Sequence, residues 1–203
     1  MFTERHNRAG RIFLRAIAKG SRGSDLVMAD VGRADKCVAD GAPTFACNHI
    51  PPNLLTCPNN STPEEHAAML RRLKPDALMV SQGRRKSETK ICIIEIKYCI
   101  DTKPKDQLRK AREQHEELVR KLVDSGYSRK NISISPLLIG VSGTIYRKHT
   151  LKALEKLGVA GKSAKTCTSK LHKEAIKSLH DIVKTRRHFE HTSNSRDNPP
   201  KPP

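Results

Sequence analysis

"LKPDALMVSQGRRKSETKICIIEIKYC", residues 73–99, contains two apolar runs with the composition and length of buried β-strands, at 76–81 and 90–98. The turn-like segment "QGRRKSET" between them predicts a β-hairpin. Both runs also carry charged residues. Because unpaired charge inside a sheet is costly, the sequence requires something that compensates these charges.

The charges belong to Asp76, Glu95 and Lys97. Side chains alternate along a strand, so Glu95 and Lys97 share one face of the second strand. Across the hairpin, Asp76 lies opposite the end of that strand and close to Glu95. Neighbouring carboxylates repel each other, and a divalent metal ion offsets the repulsion. Oxygen ligands suit Mg²⁺, and Mn²⁺ can substitute for it.

This arrangement predicts metal-dependent hydrolysis of a phosphodiester. Asp76 and Glu95 are expected to bind the metal, and Lys97 to orient or deprotonate the attacking water. A structural interpretation competes, because the tripeptide "ExK" is common and its charges could be solvated or paired on an amphipathic edge strand. The upstream "PD", the Ile-rich strand and the basic chain together favour the catalytic interpretation.

The chain has 39 Lys and Arg against 21 Asp and Glu, which gives a formal net charge of +18 over 203 residues. Such an excess predicts a polyanionic partner, with nucleic acid as the leading candidate. Aromatic residues make up only 3% and Trp is absent, so the chain lacks rings on which single-stranded bases stack. The phosphate backbone of duplex DNA is therefore the expected target.

No apolar run approaches the roughly 18 residues that span a bilayer, and the N-terminus has no secretory h-region. We expect an intracellular protein without a membrane partner. The six cysteines are too widely spread for a disulfide framework, so most are expected to be reduced. Cys37, Cys47, His49 and Cys57 lack the close Cys-x2-Cys pairs of zinc sites, which disfavours zinc.

The pattern of the chain predicts a single domain over 1–190. Apolar spacing predicts an N-terminal helix over 3–19, and a short strand follows at 25–31. Pro and Cys residues mark 32–63 as an irregular insertion. Thr62 is a suitable N-cap for a helix that runs to Arg72.

Beyond the hairpin, the sequence predicts one helix that ends at Gly126 and a strand whose Pro136 favours an edge position. Helices are expected at 151–157 and, strongly basic, at 166–189. The tail 191–203 is predicted to be disordered. An antiparallel meander, a crossover helix and a further strand give an α/β fold with a mixed central sheet flanked by helices.

At these residues the sequence resembles a known superfamily. "KPDALMV" followed by "CIIEIKYC" is similar to the PD-(D/E)xK restriction-endonuclease-like superfamily, which has an αβββαβ core. "RHN" at Arg5, His6 and Asn7, upstream of "KPD", resembles more narrowly the restriction-like endonuclease domain at the C-terminal end of site-specific non-LTR retrotransposon polyproteins.

The resemblance implies a domain that nicks chromosomal DNA in the nucleus. It also implies reverse transcriptase as a partner within a larger polyprotein, of which this chain is expected to be a piece or remnant. By residue, Asp76 matches the PD aspartate, Glu95 the second acid and Lys97 the lysine. Arg5, His6 and Asn7 match the upstream triplet and are expected to be auxiliary.

Several other residues have two interpretations each. Glu4 is either a third metal ligand or a solvated acid in the first helical turn. His6 reaches a scissile phosphate or is buried against the sheet, and Gln114 is expected to line the cleft. His115 lies on an apolar stripe and is expected mainly to pack in the core. Asp30 is a turn acid or a neighbour of the metal.

Two basic segments are expected to contact DNA phosphates, although a solvated surface is the alternative for each. The first is the hairpin, with Arg84, Arg85 and Lys86. The second is the last helix, with Lys184, Arg186 and Arg187. A second class of function is a non-catalytic DNA-binding module that keeps the nuclease fold. A third interpretation is a structure-specific or repair nuclease.

Overall fold

The structure is a computed structural model that describes residues 2–30, 49–57 and 61–194. Its centre is a four-stranded sheet in the order β1-β2-β3-β4. β1 and β2 are antiparallel, as are β2 and β3, whereas β3 and β4 are parallel. The predicted α/β fold with a mixed sheet is therefore confirmed. The strands are β1 Leu26–Ala29, β2 Ala77–Ser81, β3 Lys90–Cys99 and β4 Ile132–Gly140.

Helices flank this sheet. They are α1 Phe2–Ala18, α2 Pro63–Arg72, α3 Pro104–Gln114, α4 Glu116–Asp124, α5 Lys152–Lys156 and α6 Gly161–Asn194. The predicted start of α2 is confirmed, because the Thr62 side chain accepts the backbone N–H of Glu65 while the Glu65 carboxylate accepts that of Thr62. No helix in the described ranges is long and apolar enough to cross a bilayer.

Two apolar clusters lie on opposite faces of the sheet, as the alternation along β3 requires. On one face, Ile94 and Ile96 pack in a cluster with Phe13 of α1 and Leu171 of α6. On the other face, Ile91 and Ile93 belong to a cluster that includes buried residues of α2 and α4. Glu95 and Lys97 follow Ile93 on this second face.

The two terminal helices run antiparallel against each other. Cys167 of α6 contacts the carbonyl oxygen of Ile12, and Glu174 lies further along, 3.5 Å from Arg8. Residue numbers rise along α6 while they fall along α1, so the C-terminal part of α6 extends past the N-terminal end of α1.

The strand register sets the position of the charged residues. Ala77 pairs with Ile94, so Asp76 stands just before β2 and opposite Glu95. On the other side of β3, Glu95 is in register with Pro136 of β4. β4 is at the edge of the sheet, as its proline predicted.

Three boundary predictions are wrong. The helix after the hairpin is broken at His115, which separates α3 from α4. α6 begins at Gly161 instead of 166, because Ala164 and Cys167 are buried against α1 and draw the first turns into the helix. It ends at Asn194, so 191–194 of the predicted tail are helical.

Only part of the predicted insertion 32–63 can be compared, since 31–48 and 58–60 lie outside the described residues. In the described part, Ile50, Leu54 and Leu55 are buried in the cluster that includes residues of α4, whereas most of the residues around them are exposed. The four described cysteines, Cys57, Cys92, Cys99 and Cys167, are free thiols. Cys37 and Cys47 lie outside the described ranges, as does the tail beyond 194.

Candidate active site

Asp76 immediately precedes β2, and its side chain hydrogen-bonds to β3. Its Oδ2 accepts the backbone N–H of Ile96 at 2.6 Å, which extends the hydrogen-bond ladder past the first residue of β2. Its Oδ1 lies 2.9 Å from Nε2 of His6 on α1. The carboxylate is thus fixed beside β3, as the hairpin predicted.

Glu95 carries the second carboxylate and is only 4% exposed. Its Oε1 lies 2.6 Å from Nζ of Lys97 and accepts Nε2 of Gln114 at 3.1 Å. Its Oε2 lies 2.8 Å from Nε2 of His115. A buried carboxylate with three polar partners is compensated within the fold.

Lys97 closes this network. Its Nζ also donates to Oε1 of Gln114 at 2.7 Å, so Gln114 bridges the lysine and the acid. The lysine side chain is 27% exposed, against 5% for that of Glu95. The ammonium therefore lies where the buried network meets solvent, and the prediction that Gln114 lines the site agrees with this geometry.

The pKa values reflect these contacts. Burial by itself raises the pKa of Glu95, but the hydrogen bonds from His115 and Lys97 outweigh it and hold that pKa below its ordinary value. The hydrogen bond to Asp76 raises the pKa of His6 against the opposing effect of burial. The charge of Glu95 also raises the pKa of His6, and that of Lys97 lowers it.

Arg5 and His6 of the "RHN" triplet both face this region, but in different ways. Arg5 is buried, stacks its guanidinium 4.1 Å from the centre of the Tyr98 ring and donates to the carbonyl oxygen of Val141. It therefore anchors α1 to the ends of β3 and β4. Within the described part of the chain, Asn7 hydrogen-bonds to none of Asp76, Glu95 and Lys97.

The structure does not bring Glu4 into the site. Its carboxylate binds Arg8 and Arg11, each at 3.1 Å, and is half exposed. The reason is helical geometry, since residues two apart point about 200° apart and Glu4 cannot share the face of His6.

Asp30, the other acid that the sequence offered as a neighbour of the metal, is paired with Lys74 at 2.6 Å.

His115 is the site residue that the sequence undervalued. It is 2% exposed, and besides its contact with Glu95 it interrupts the helix between α3 and α4. The backbone N–H of His115 donates to the carbonyl oxygen of Arg112, three residues earlier, which tightens the last turn of α3. The sequence did contain a signal for this role. His115 is a polar residue on an otherwise apolar helical stripe, and that stripe packs against the strand that carries Glu95.

The predicted DNA-contacting residues fall at opposite ends of the molecule. Arg84, Arg85 and Lys86 follow β2, whose five residues place them about 17 Å from Asp76. Lys184 and Arg186 are exposed on α6, about 15 Å beyond Glu174 in the direction of the active-site end of α1. The side chain of Arg187 lies outside the described part.

The donor set fits a hard cation. A carboxylate has about four lone-pair sites, of which Asp76 uses two and Glu95 three, so Asp76 retains about two sites and Glu95 about one for a metal bond. The N–H of Ile96 faces Asp76, and the carbonyl of the same residue points to the same edge of β3. No group of three or more His, Cys, Asp or Glu side chains in the described ranges is arranged to hold a metal, so further ligands would be carbonyl, water or phosphate oxygens.

Comparison with known proteins gives no matching family model, no similar curated protein and no similar solved structure.

Proposed function

We propose that this chain is a metal-dependent DNA endonuclease domain of the PD-(D/E)xK type, similar to those of non-LTR retrotransposons. The observation that supports it best is the meeting of Asp76, Glu95 and Lys97 at one end of the sheet. A nuclease of this kind needs two carboxylates for a metal ion and a cation near the attacking water. Gln114, His115 and His6 hold the three side chains in place.

Each residue has a role in this proposal. Asp76 and Glu95 would hold Mg²⁺ or Mn²⁺, with the carbonyl oxygen of Ile96 as a third protein ligand. When bound, the metal ion supplies a Lewis acid that stabilises charge on the phosphate and lowers the pKa of a bound water. Lys97 donates hydrogen bonds from the solvent side of the site and so orients the attacking water. His6 fixes the orientation of the Asp76 carboxylate.

The partner in this proposal is duplex DNA. The charge of +18 supplies general attraction to phosphate. Lys184 and Arg186 extend past the active-site end of α1 and would contact the DNA backbone there. Reverse transcriptase within a larger polyprotein, and a nuclear location, belong to the same proposal through the resemblance of "RHN" and "KPD".

One observation favours a second candidate, a DNA-binding module without catalysis. Glu95 is already bound by Lys97, Gln114 and His115, and such a closed network also serves as a purely structural ion cluster. Both candidates predict salt-sensitive DNA binding, so only cleavage separates them.

The test is nicking of supercoiled plasmid in Mg²⁺ or Mn²⁺ by the wild type, Asp76→Ala, Glu95→Gln and Lys97→Ala, with EDTA as a blank. Asp106→Ala is the matched control, because this acid is exposed in the first turn of α3. Nicking by the wild type and the control alone supports the endonuclease. Plasmid that is retarded on a gel at low salt but never cut supports the binding module.

A further inference from the structure

A groove of about 630 Å³ runs along the free edge of β4. Ser133, Ile134, Ser135 and Pro136 form its floor, and side chains of α3 and α5 form its two walls. β3 separates the groove from Asp76, which lies on the other side of that strand. The groove is therefore a feature distinct from the carboxylate cluster.

The charged residues of its lining are all basic. Seven of the 18 lining residues are Lys or Arg, compared with 39 of 203 in the whole chain, and none is Asp or Glu. The enrichment is about twofold, so the groove concentrates charge beyond the general basicity of the protein. His149 also lines it.

Six of these seven cations lack internal compensation. Arg22 bonds to Asp25, Ser81 and the Lys156 carbonyl oxygen, so it serves the fold. The other six are exposed and form no ion pair with any residue in the described ranges: Lys90, Arg112, Lys130, Lys148, Lys152 and Lys156. Like charges held together repel each other, so an anionic ligand would stabilise this arrangement.

We propose that this edge groove, defined by those six cations, binds the phosphate backbone of duplex DNA as a second, non-catalytic contact surface. The lining has no Phe, Tyr or Trp on which unpaired bases could stack. A duplex keeps the faces of its bases stacked inside and presents regularly spaced phosphates along both strands, which match lysine and serine side chains. Ser133 and Ser135 add hydroxyl groups between the cations.

The hairpin residues acquire a role in this arrangement. Asn131 lines the groove, and its Nδ2 donates to the carbonyl oxygen of Ser87 in the β2–β3 connection. Lys90 is the first residue of β3 directly after that connection. Arg84 and Arg85 are exposed in this connection and would extend the groove surface at the end of the sheet away from Asp76.

The experiment measures binding of a fluorescein-labelled 20-base-pair duplex by anisotropy, in EDTA and over a range of NaCl concentrations. The groove variant combines Lys130→Gln, Lys152→Gln and Lys156→Gln. The matched control, Lys19→Gln with Arg71→Gln and Lys165→Gln, removes the same charge from exposed positions outside the groove. A single strand of the same length and inorganic polyphosphate serve as competitors.

We expect the groove variant to bind the duplex at least about tenfold more weakly, and its slope of log affinity against log salt to be shallower by about 3, since each duplex phosphate contributes about 0.9. The control should keep the wild-type slope. Equal losses in both variants would mean that only net charge matters and would overturn the proposal. Stronger competition by single strand or polyphosphate than by unlabelled duplex would overturn the assignment to duplex DNA.

The measurement is independent of catalysis. EDTA removes the metal ion that the proposed cleavage requires, so the anisotropy signal reports duplex binding alone. A plasmid that is never nicked would therefore refute the endonuclease and leave the groove proposal standing. If the plasmid is nicked but the groove variant keeps the wild-type salt slope, the endonuclease proposal stands and the groove proposal is refuted.

Discussion

Replacing Lys97 by Met tests how much the buried Glu95 depends on its ammonium partner. The Nζ to Oε1 distance is 2.6 Å, where Coulomb's law gives about 6 kcal/mol at an effective dielectric constant of about 20. Desolvation and side-chain ordering offset much of this, and hydrogen bonds to charged groups contribute about 1.5–3 kcal/mol net. We expect the free energy of unfolding to fall by about 2–3 kcal/mol at pH 7.

The effect has a defined pH dependence. The pKa of Glu95 is lowered in the fold, so its contribution to stability is present above its ordinary pKa of about 4.3 and is lost as pH falls through the folded pKa. Without Lys97 the folded pKa of Glu95 rises, and the loss begins at a higher pH. The difference between wild type and variant should therefore shrink as pH falls through the lowered folded pKa of wild-type Glu95, since the carboxyl group is then protonated in both proteins.

Urea unfolding followed by circular dichroism at 222 nm measures these free energies, since the chain has no Trp for fluorescence. Lys105→Met is the matched control, because Lys105 is an exposed lysine on the neighbouring α3. Its change should stay within about 0.5 kcal/mol. The reasoning is refuted if both variants lose the same stability at pH 7, or if the Lys97→Met loss does not shrink as the pH is lowered.

Three further substitutions test other parts of the structure by urea or thermal unfolding. Asp76 raises the pKa of His6, so the stability that His6 contributes is complete below its ordinary pKa of about 6.5 and is lost as pH rises through the folded pKa. His6→Ala should cost more at pH 5.5 than at pH 8.5, and an equal cost would contradict the contact. Thr62→Ala removes the cap of α2 and should cost about 1 kcal/mol, whereas Thr62→Ser should retain most of it. Gly140→Ala would overlap Oδ1 of Asp101, so we expect a loss of about 1–3 kcal/mol, and an unchanged melting temperature would argue against this close approach.

The sequence predicted those features that depend on local signals. The hairpin followed from two apolar runs and a turn, and the alternation of β3 then placed Glu95 and Lys97 on one face. The N-cap of α2 and the stop at Gly126, whose φ is +95°, also follow from a few neighbouring residues. Asp76 came close to Glu95 because a hairpin fixes its own register.

Features set by contacts between distant residues were missed. The helix break at His115 depends on Glu95, 20 residues earlier, and helical periodicity carries no information about that hydrogen bond. The early start of α6 depends on burial against α1. The basic charges at 84–86 were visible in the sequence, but their distance from Asp76 depends on the length and direction of β2.

The packing of α1 against α6 has a consequence for synthesis of the protein. α1 is synthesised before α6, and its apolar residues share a cluster with residues of that helix, which emerges about 140 residues later. At about 5–20 residues per second, the nascent α1 waits roughly 7–30 s for its partner. During that time Phe13 and its neighbours lack the cover that α6 gives them in the folded protein. The apolar cluster on this face of the sheet can therefore be completed only after the last helix has been made.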